Sequence, residues 1–405
     1  MRSILLLTVA LAPAAVLAQA SGGDVPINYG ERPYYLVSKM EDGPLKEELM
    51  ACMGQEPQRT KFSIGHRGAP LMFPEHTVQS NVAAARQGAG ILECDVTFTA
   101  DRELVCRHAQ NDLHTTTNIL VTDLAENCTA GFTPAEGDAP ASAECRASDI
   151  TLAEFRTLQP KMDAAASDAT TAEEYQGGVA PWRTTLYSDG AELMTHAESI
   201  ELFDSLGADF TPELKSASVE MPYEGFSQED YAQKLVDEYK AAGIDPSRVY
   251  PQSFNFDDIL YWIENEPEFG AQAVYLIDDS SIEGLDGMDP STWGWTPSEL
   301  KEQGVNYVAP AIPFLLTLNE AGEMIPSELA NQLAEADINI ITWTLERSGP
   351  LAGGGGWYYH TVTDTIDNDA DYLNVLDVLA QDVGVVGVFS DWPATVTYYA
   401  NCKGL

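Results

Sequence analysis

Residues 62–114 read FSIGHRGAPLMFPEHTVQSNVAAARQGAGILECDVTFTADRELVCRHAQNDLH, and the fold can be worked out from this stretch outward. It opens with a short apolar run, 62–64, that ends at Gly65, His66 and Arg67. An apolar run that ends in glycine and charged residues is typical of a buried strand whose carboxyl end carries chemistry. The PEHT segment at 74–77 then predicts the start of a helix over 78–87.

A second apolar run, 91–99, predicts a strand that carries two carboxylates, Glu93 and Asp95. Residues two apart on a strand project from the same face, so these carboxylates repel each other and are costly to bury. A bound divalent cation with oxygen ligands, calcium or magnesium, removes both costs. The alternative interpretation is an exposed edge strand without a ligand.

The turn after this strand is too short for a parallel crossover, so the return strand at 104–108 predicts an antiparallel hairpin arm. If Phe98 pairs with Glu103, His108 lies opposite Glu93 and shares the carboxylate face. A histidine in that position is better explained by a functional role than by a structural one.

The segments GHRGA, PEHT and ILECDVTFTADRELVCRH at 65–69, 74–77 and 91–108 resemble the signature of glycerophosphodiester phosphodiesterases. The resemblance is closest to secreted members of that family. It implies a (β/α)₈ TIM barrel and metal-dependent hydrolysis of a glycerophosphodiester to an alcohol and glycerol 3-phosphate.

Two positions depart from the family pattern. His76 stands where the family usually has asparagine. His108 is followed by Ala109 where the family has aspartate, and Asp112 is the candidate substitute. Both departures concern the surroundings of the site, and neither changes the main assignment.

A further predicted strand, 208–216, reads ADFTPELKS and places Glu213 and Lys215 on one face. The family's third strand ends in the same Glu-x-Lys pattern. Glu213 would complete a three-carboxylate metal site with Glu93 and Asp95, and Lys215 would meet the substrate phosphate. Without the upstream motif, a surface strand with a salt bridge would be the better interpretation.

Eight predicted strands alternate mostly with helices, which is the strand count of a (β/α)₈ barrel. The strands are 62–64, 91–95, 208–216, 248–254, 272–277, 307–311, 338–345 and 385–389. We expect a leader at 21–60, a barrel domain at 61–402, and within it an insertion at 113–190. The resemblance places this insertion over the carboxyl-terminal mouth of the barrel.

The resemblance and the strand ends together predict the roles of the remaining site residues. His66 and His108 would act as general acid and base, with the assignment between them open. Arg67 and Lys215 would offset charge on the phosphoryl group. Trp343 would pack against the glycerol carbons. Whether water attacks directly or a substrate hydroxyl first forms a cyclic phosphate also stays open.

The loops of the mouth are expected to shape the leaving-group side of the pocket. These are the insertion and the glycine run at 353–356. The aromatic residues after that run, 357–359, either form a cation-binding wall suited to choline or simply pack on the barrel.

The chain carries 63 acidic and 21 basic residues, for a formal net charge of −42. This balance argues against nucleic acid or an anionic membrane as a partner and favours a small-molecule substrate. Residues 1–20 predict a signal peptide, with a charged start, an apolar core and an Ala-Gln-Ala cleavage site. No apolar run is long enough to span a membrane, so we expect a secreted or periplasmic protein. The oligomeric state is not predicted.

Six cysteines in an exported chain indicate disulfides. The expected pairs are Cys128–Cys145, which flank a polar loop, and Cys52–Cys402, near the ends of the domain. The hairpin register given above places Cys94 and Cys106 on opposite faces, which disfavours a third bridge unless a bulge intervenes.

Two other functions remain open from the sequence. One is a related barrel phosphodiesterase, such as a sphingomyelinase D or a phosphoinositide phospholipase C, against which the PEHT and Glu-x-Lys segments argue. The other is a non-catalytic secreted metal-binding protein, against which the presence of both histidines argues.

Overall fold

A closed barrel of eight parallel strands forms the centre of the structure, a computed structural model that describes residues 25–405. The barrel order is β1-β13-β12-β9-β8-β7-β6-β2, and β2 pairs with β1 to close it. The strands are β1 Thr60–Gly65, β2 Ala89–Phe98, β3 Leu104–Cys106, β4 Ala130–Thr133, β5 Ser142–Glu144, β6 Asp209–Leu214, β7 Gln252–Ser253, β8 Val274–Ile277, β9 Tyr307–Pro310, β10 Leu316–Leu318, β11 Met324–Pro326, β12 Asn339–Leu345 and β13 Gly387–Ser390. The predicted TIM barrel is confirmed, and the predicted signal peptide lies outside the described residues.

Most of the α-helices pack around the outside of the barrel, and three short ones between residues 113 and 176 lie in the insertion. They are α1 Arg32–Lys39, α2 Pro44–Ala51, α3 Val78–Arg86, α4 Leu113–Thr116, α5 Leu152–Phe155, α6 Ala172–Gln176, α7 His196–Ser205, α8 Gln228–Ala242, α9 Phe256–Asn265, α10 Pro267–Gly270, α11 Pro297–Glu302, α12 Ile312–Leu315, α13 Glu328–Glu335, α14 Asp371–Val378 and α15 Pro393–Lys403. α8 shows how local sequence sets their bounds. Ser227 caps its first turn in a capping box with Asp230, and Gly243 ends it at a φ of 70°.

The barrel interior is filled by a small apolar cluster that supports the floor of the mouth. Its buried members are Ile64, Ile91, Val274, Leu276, Ala309, Ile341 and Phe389. A larger apolar core lies between the strands and the surrounding helices. The strands are therefore buried on both faces, which explains why they read as continuous apolar runs.

The hairpin arm forms as predicted, but with a different register. Val96 pairs with Cys106 in the β2–β3 ladder, whereas the predicted register paired Phe98 with Glu103. A slip of one residue moves every side chain to the other face of the strand. Cys106 therefore lies on the face of Cys94, and these cysteines form a disulfide with a Cα–Cα distance of 5.2 Å. The prediction against this bridge was wrong for that reason.

The described part of the leader packs against the C-terminal helix α15. Tyr398 in α15 donates a hydrogen bond from its hydroxyl to the carbonyl of Leu49 in α2, at 2.5 Å. The Cys52–Cys402 disulfide joins the residue after α2 to α15 and confirms that predicted pair. Within the described residues, no helix is both long and apolar enough to cross a membrane.

The chain between the hairpin arm and α7 builds its own small apolar core beside the barrel mouth. Leu113, Ile119 and Phe155 are fully or almost fully buried in it. The Cys128–Cys145 disulfide closes its outer loop, as predicted. The insertion is thus an ordered cap, while its exact bounds at 113–190 stay a prediction.

Candidate active site

A cavity of about 740 Å³ opens at the carboxyl ends of the barrel strands. Seven of the eight predicted site residues line it: His66, Arg67, Glu93, His108, Glu213, Lys215 and Trp343. The eighth, Asp95, is buried and within reach of Glu93 and Glu213. The barrel therefore brings together residues that lie up to 277 positions apart in the sequence (343 − 66).

Glu93, Asp95 and Glu213, which we name the carboxylate triad, come from adjacent strands. Asp95 pairs with Glu213 in the β2–β6 ladder, and Glu93 lies on the same face of β2. One oxygen from each carboxylate lies within 4.8 Å of the others, and all three residues are buried. Three ionised carboxylates this close repel one another, and either a bound cation or uptake of a proton relieves that repulsion.

Burial and mutual repulsion shift the pKa values of the carboxylate triad. Burial, and then the charges of Asp95 and Glu213, raise the pKa of Glu93 well above its ordinary value. Burial also raises the pKa of Glu213, to about 7, although Lys215 opposes the shift. Burial would raise the pKa of Asp95 as well, but His76 and Lys215 together lower it.

The donor set of the carboxylate triad fits a divalent cation with oxygen ligands. Oδ1 of Asp95 is buried and has no hydrogen-bond partner among the described residues. A carboxylate oxygen left unpaired in a dry site costs free energy that a bound cation removes. Three carboxylate oxygens are ligands that calcium and magnesium prefer.

A strained turn after β1 directs two donors toward the carboxylate triad. Arg67 has a φ of 53° and His76 a φ of 55°, both in the left-handed region. Arg67 donates its backbone N–H to Oε2 of Glu93 at 2.7 Å, and Nε2 of His76 lies 2.8 Å from Oδ2 of Asp95. Histidine and asparagine both tolerate positive φ better than most residues. His76 therefore fits a position where the family usually has asparagine.

His66 is held by Asp391, which follows β13. Nδ1 of His66 lies 2.5 Å from Oδ1 of Asp391. Burial lowers the pKa of His66 to about 4, with Arg67 and Arg347 adding to the effect against Asp391. Despite its own burial, Asp391 has its pKa lowered to about 2 by Arg347 and His66. A neutral imidazole that donates from Nδ1 to this carboxylate keeps Nε2 free to accept a proton.

His108 reaches the cavity by a turn rather than by the predicted pairing with Glu93. β3 ends at Cys106, and the next residue, Arg107, donates its N–H to the carbonyl of Asp95 at 2.8 Å. Asp112 then accepts the N–H of Ala109 at 3.0 Å, which fixes the turn around His108. Burial, then Arg67 and Lys215, lower the pKa of His108 well below its ordinary value.

Lys215 and Trp343 both line the cavity, each held by a different partner. Nζ of Lys215 donates to Oε1 of Glu213 at 2.5 Å, so this cation borders the carboxylate triad. Trp343 donates from Nε1 to the carbonyl of Ala309 at 2.8 Å, which fixes its indole ring. Phe254 and Tyr358 meet the Trp343 ring edge to face, with centroids 5.8 and 6.2 Å away. These three rings form an aromatic wall of the cavity.

A second group of charged residues at the mouth, which we name the arginine network, was not predicted from the sequence. It consists of Arg183, Asp163, Arg347 and Asp391. Arg347 lies on the loop after β12, while Asp163 and Arg183 lie in the insertion. No motif links these segments, so only the fold reveals the contacts. The available signal was the position of Arg347 just beyond a barrel strand end.

The PEHT segment also contributes a residue to which no role was assigned. Glu75 accepts a hydrogen bond from Nη1 of Arg67 at 3.0 Å and lies 3.6 Å from Nη2 of Arg347. Although burial opposes the shift, these arginines hold the pKa of Glu75 well below its ordinary value. Glu75 therefore stays ionised and fixes the Arg67 guanidinium at the cavity wall.

Residues 66–395 match the model of the glycerophosphoryl diester phosphodiesterase family. An Arthroderma benhamiae protein named "Extracellular protein" is 44% identical over 249 residues, which cover 60% of this chain and 100% of that protein. A glycerophosphodiester phosphodiesterase of Haemophilus influenzae is 24% identical over 364 residues, which cover 83% of this chain and 88% of that enzyme.

A solved structure shares the architecture. It is that of a Silicibacter pomeroyi protein described as a candidate glycerophosphoryl diester phosphodiesterase. The two chains are 18% identical and superpose with a TM-score of 0.54 over 88% of this chain and 98% of the other. At that identity the likeness concerns the fold, which is the same TIM barrel.

Proposed function

The chain belongs to the glycerophosphoryl diester phosphodiesterase family, and we propose that it hydrolyses glycerophosphodiesters with a divalent cation bound by the carboxylate triad. The products are an alcohol and glycerol 3-phosphate, and the substrate is a small molecule. The observation that carries the proposal is one cavity that joins three buried, mutually repelling carboxylates to two buried histidines.

Glu93, Asp95 and Glu213 would hold the cation, calcium or magnesium. When bound, it would polarise the phosphoryl oxygens and orient the diester. His76 holds Asp95 and the backbone of Arg67 holds Glu93, so both carboxylates keep a fixed direction toward the cavity. Such outer hydrogen bonds orient metal ligands in many proteins.

The two histidines move protons to and from the reacting oxygens. His66 acts as the base through Nε2, because its Nδ1 is engaged by Asp391. It accepts the proton of the attacking hydroxyl, which belongs either to water or to the substrate itself. His108 acts as the acid toward the leaving alcohol. Burial, then Arg67 and Lys215, lower the pKa of His108, and the negative charge of a bound diester would oppose that shift.

Arg67 and Lys215 stabilise the negative charge that grows on the phosphoryl oxygens. Both side chains line the cavity, and each is held by a carboxylate partner, Glu75 and Glu213 respectively. Trp343 packs its fixed indole against the glycerol carbons. The protein itself acts outside the cytoplasm, as three disulfides, the predicted signal peptide and an extracellular relative all support.

The test is release of glycerol 3-phosphate from glycerophosphocholine, with sphingomyelin as the rival substrate. We expect turnover of glycerophosphocholine alone, loss of turnover in a strong chelator, and recovery on adding back calcium or magnesium. Turnover of sphingomyelin instead would favour a sphingomyelinase D. Absence of turnover on either substrate, with a cation still bound, would favour a non-catalytic metal-binding protein.

A further inference from the structure

We propose that the insertion is a working part of the active site, in which Asp163 and Arg347 are positioning residues for His66. They act through Asp391, the carboxylate that holds the His66 ring. The proposal rests on the proposed role of His66 as the base. It adds that this base is set in place by a segment outside the barrel.

The contacts of Asp391 divide between its two carboxylate oxygens. Oδ1 lies 2.5 Å from Nδ1 of His66, and Oδ2 lies 3.1 Å from Nη1 of Arg347. A carboxylate held at both oxygens has a fixed plane, and the imidazole that donates to it takes its direction from that plane. The orientation of Nε2 of His66 in the cavity therefore depends on Arg347.

Arg347 is in turn held from the insertion. Its Nη2 donates to Oδ2 of Asp163 at 3.0 Å, and Oδ1 of Asp163 pairs with Arg183. The planar guanidinium of Arg347 thus spans Asp391 on the barrel and Asp163 on the insertion, with a different nitrogen for each. A fork of this kind transmits orientation, which a flexible lysine could not do as well.

The backbone around Asp163 is fixed by a half-buried lysine. Nζ of Lys161 donates to the carbonyls of Met162 and Ala164, at 2.6 and 2.7 Å, and to that of Thr115 at 2.8 Å. The carbonyls on both sides of Asp163 are therefore tied to one ammonium group. Asp163 lies outside regular secondary structure, and this clamp provides the rigidity that a helix or strand would otherwise give.

A purely structural role for these ion pairs would be to attach the insertion to the barrel. Buried ion pairs are weak sources of net stability, because the cost of removing both charges from water offsets their attraction. In Asp391 the side chain is fully buried, and in Arg347 it is 16% exposed. Attachment alone needs no contact with a residue that holds the proposed base. Geometry at His66 is the better explanation.

The experiment compares Asp163→Asn with Glu144→Gln, using glycerophosphocholine as substrate. Glu144 accepts from Nε of Arg146 at 2.7 Å, so this control also removes one carboxylate charge that holds an arginine in the insertion. Neither residue of the control pair lines the cavity. We expect Asp163→Asn to lower kcat about tenfold with KM changed less than about twofold, a loss that reflects transition-state geometry. The control should keep wild-type kcat.

A double-mutant cycle tests whether Asp163 acts through Arg347, since both residues also line the cavity. If Asp163 acts through Arg347, then Asp163→Asn combined with Arg347→Gln should be no slower than Arg347→Gln alone. Losses that multiply would show that the two residues act independently, and would overturn the proposal. So would a kcat for Asp163→Asn within about twofold of the Glu144→Gln control.

A spectroscopic measurement covers the case in which Asp163→Asn folds poorly. The milder variant Arg183→Gln leaves the Asp163–Arg347 contact in place but removes its outer support. We expect the ¹⁵N shifts of the His66 ring to change in this variant, with the resonance identified by its loss in His66→Gln. Unchanged ring shifts together with unchanged kcat would overturn the proposal. Wild-type release of glycerol 3-phosphate tests the proposed function separately, since this inference depends only on variant-to-wild-type ratios.

Discussion

The barrel mouth holds two sets of buried charges that are built in opposite ways. In the carboxylate triad, like charges face each other, and burial raises the pKa of Glu93 and Glu213. In the arginine network, opposite charges alternate, and the pKa of Asp391 is lowered to about 2 despite its burial. Lys215 and His76 balance only part of the first set, which leaves it able to take the proposed cation, whereas each carboxylate of the second set pairs with an arginine.

The largest effect should come from emptying the carboxylate triad. Chelation, or Glu213→Gln, should lower kcat by about 10³-fold or more, because the cation supplies several kcal/mol of charge stabilisation. Metal content and activity should fall together, as measured by elemental analysis and glycerol 3-phosphate release. Full activity in strong chelator, with no metal recovered from the protein, would mean that the carboxylate triad is not a cation site.

The next largest losses of activity should come from replacing His66 and His108. His66→Ala and His108→Ala should each lower kcat by at least about 10²-fold, the loss typical of a general acid or base. Both variants should melt near the wild-type temperature and keep their bound cation, since neither residue belongs to the carboxylate triad. A variant that melts normally and turns over at the wild-type rate would remove that histidine from the mechanism.

The opposite pKa shifts predict opposite effects of pH on stability. Glu213 has a folded pKa of about 7 against an ordinary 4.5, so in chelator its contribution is present at low pH and is lost as pH rises through about 7. Asp391 has a folded pKa of about 2 against an ordinary 3.8, so its contribution is present above pH 3.8 and is lost as pH falls through about 2.

Two isosteric variants test that contrast in metal-free protein. At pH 8, Glu93→Gln should raise the free energy of unfolding by roughly 1–3 kcal/mol, because it removes a buried charge that Asp95 and Glu213 repel, and the gain should shrink toward pH 5. Asp391→Asn should lower it at pH 8 by roughly 3 kcal/mol, because Arg347 and His66 lose their partner. Urea unfolding in chelator at pH 8 and pH 5 measures the free energy of unfolding of both variants and of the wild type. Effects of the same sign at pH 8 would mean that the two sets do not differ as described.

The smallest effect concerns the head group of the substrate. Tyr358 lines the cavity, whereas Trp357 packs against Trp343 and Phe314 with centroids 5.9 and 6.1 Å away. Tyr358→Ala should therefore lower kcat/KM for glycerophosphocholine about threefold more than for glycerophosphoglycerol, since a ring face attracts a quaternary ammonium. Trp357→Ala should affect both substrates equally. A choline-specific loss in Trp357→Ala, and none in Tyr358→Ala, would mean that Trp357 rather than Tyr358 contacts the choline group.

The hairpin arm shows how a local error can leave a functional prediction intact. Strand identity followed from the apolar runs, but register depends on how β2 and β3 meet, and turn residues alone did not fix it. The Cys94–Cys106 bridge, which the structure forms, was therefore predicted against. His108 still reaches the cavity, because the chain leaves the ladder at Arg107 and turns back toward β2.

The sequence alone determined the barrel and the residues proposed for chemistry. Alternating apolar runs and helical segments specify parallel strands, and parallel strands place their carboxyl ends at one mouth, so Glu93, Asp95 and Glu213 had to meet there. Only the tertiary structure decided what holds these groups in place. Asp163 and Arg347 lie 184 residues apart, on segments without regular structure, and their contact depends on how the insertion packs on the barrel. Periodicity and motifs report which face a residue occupies, but not which distant loop will reach it.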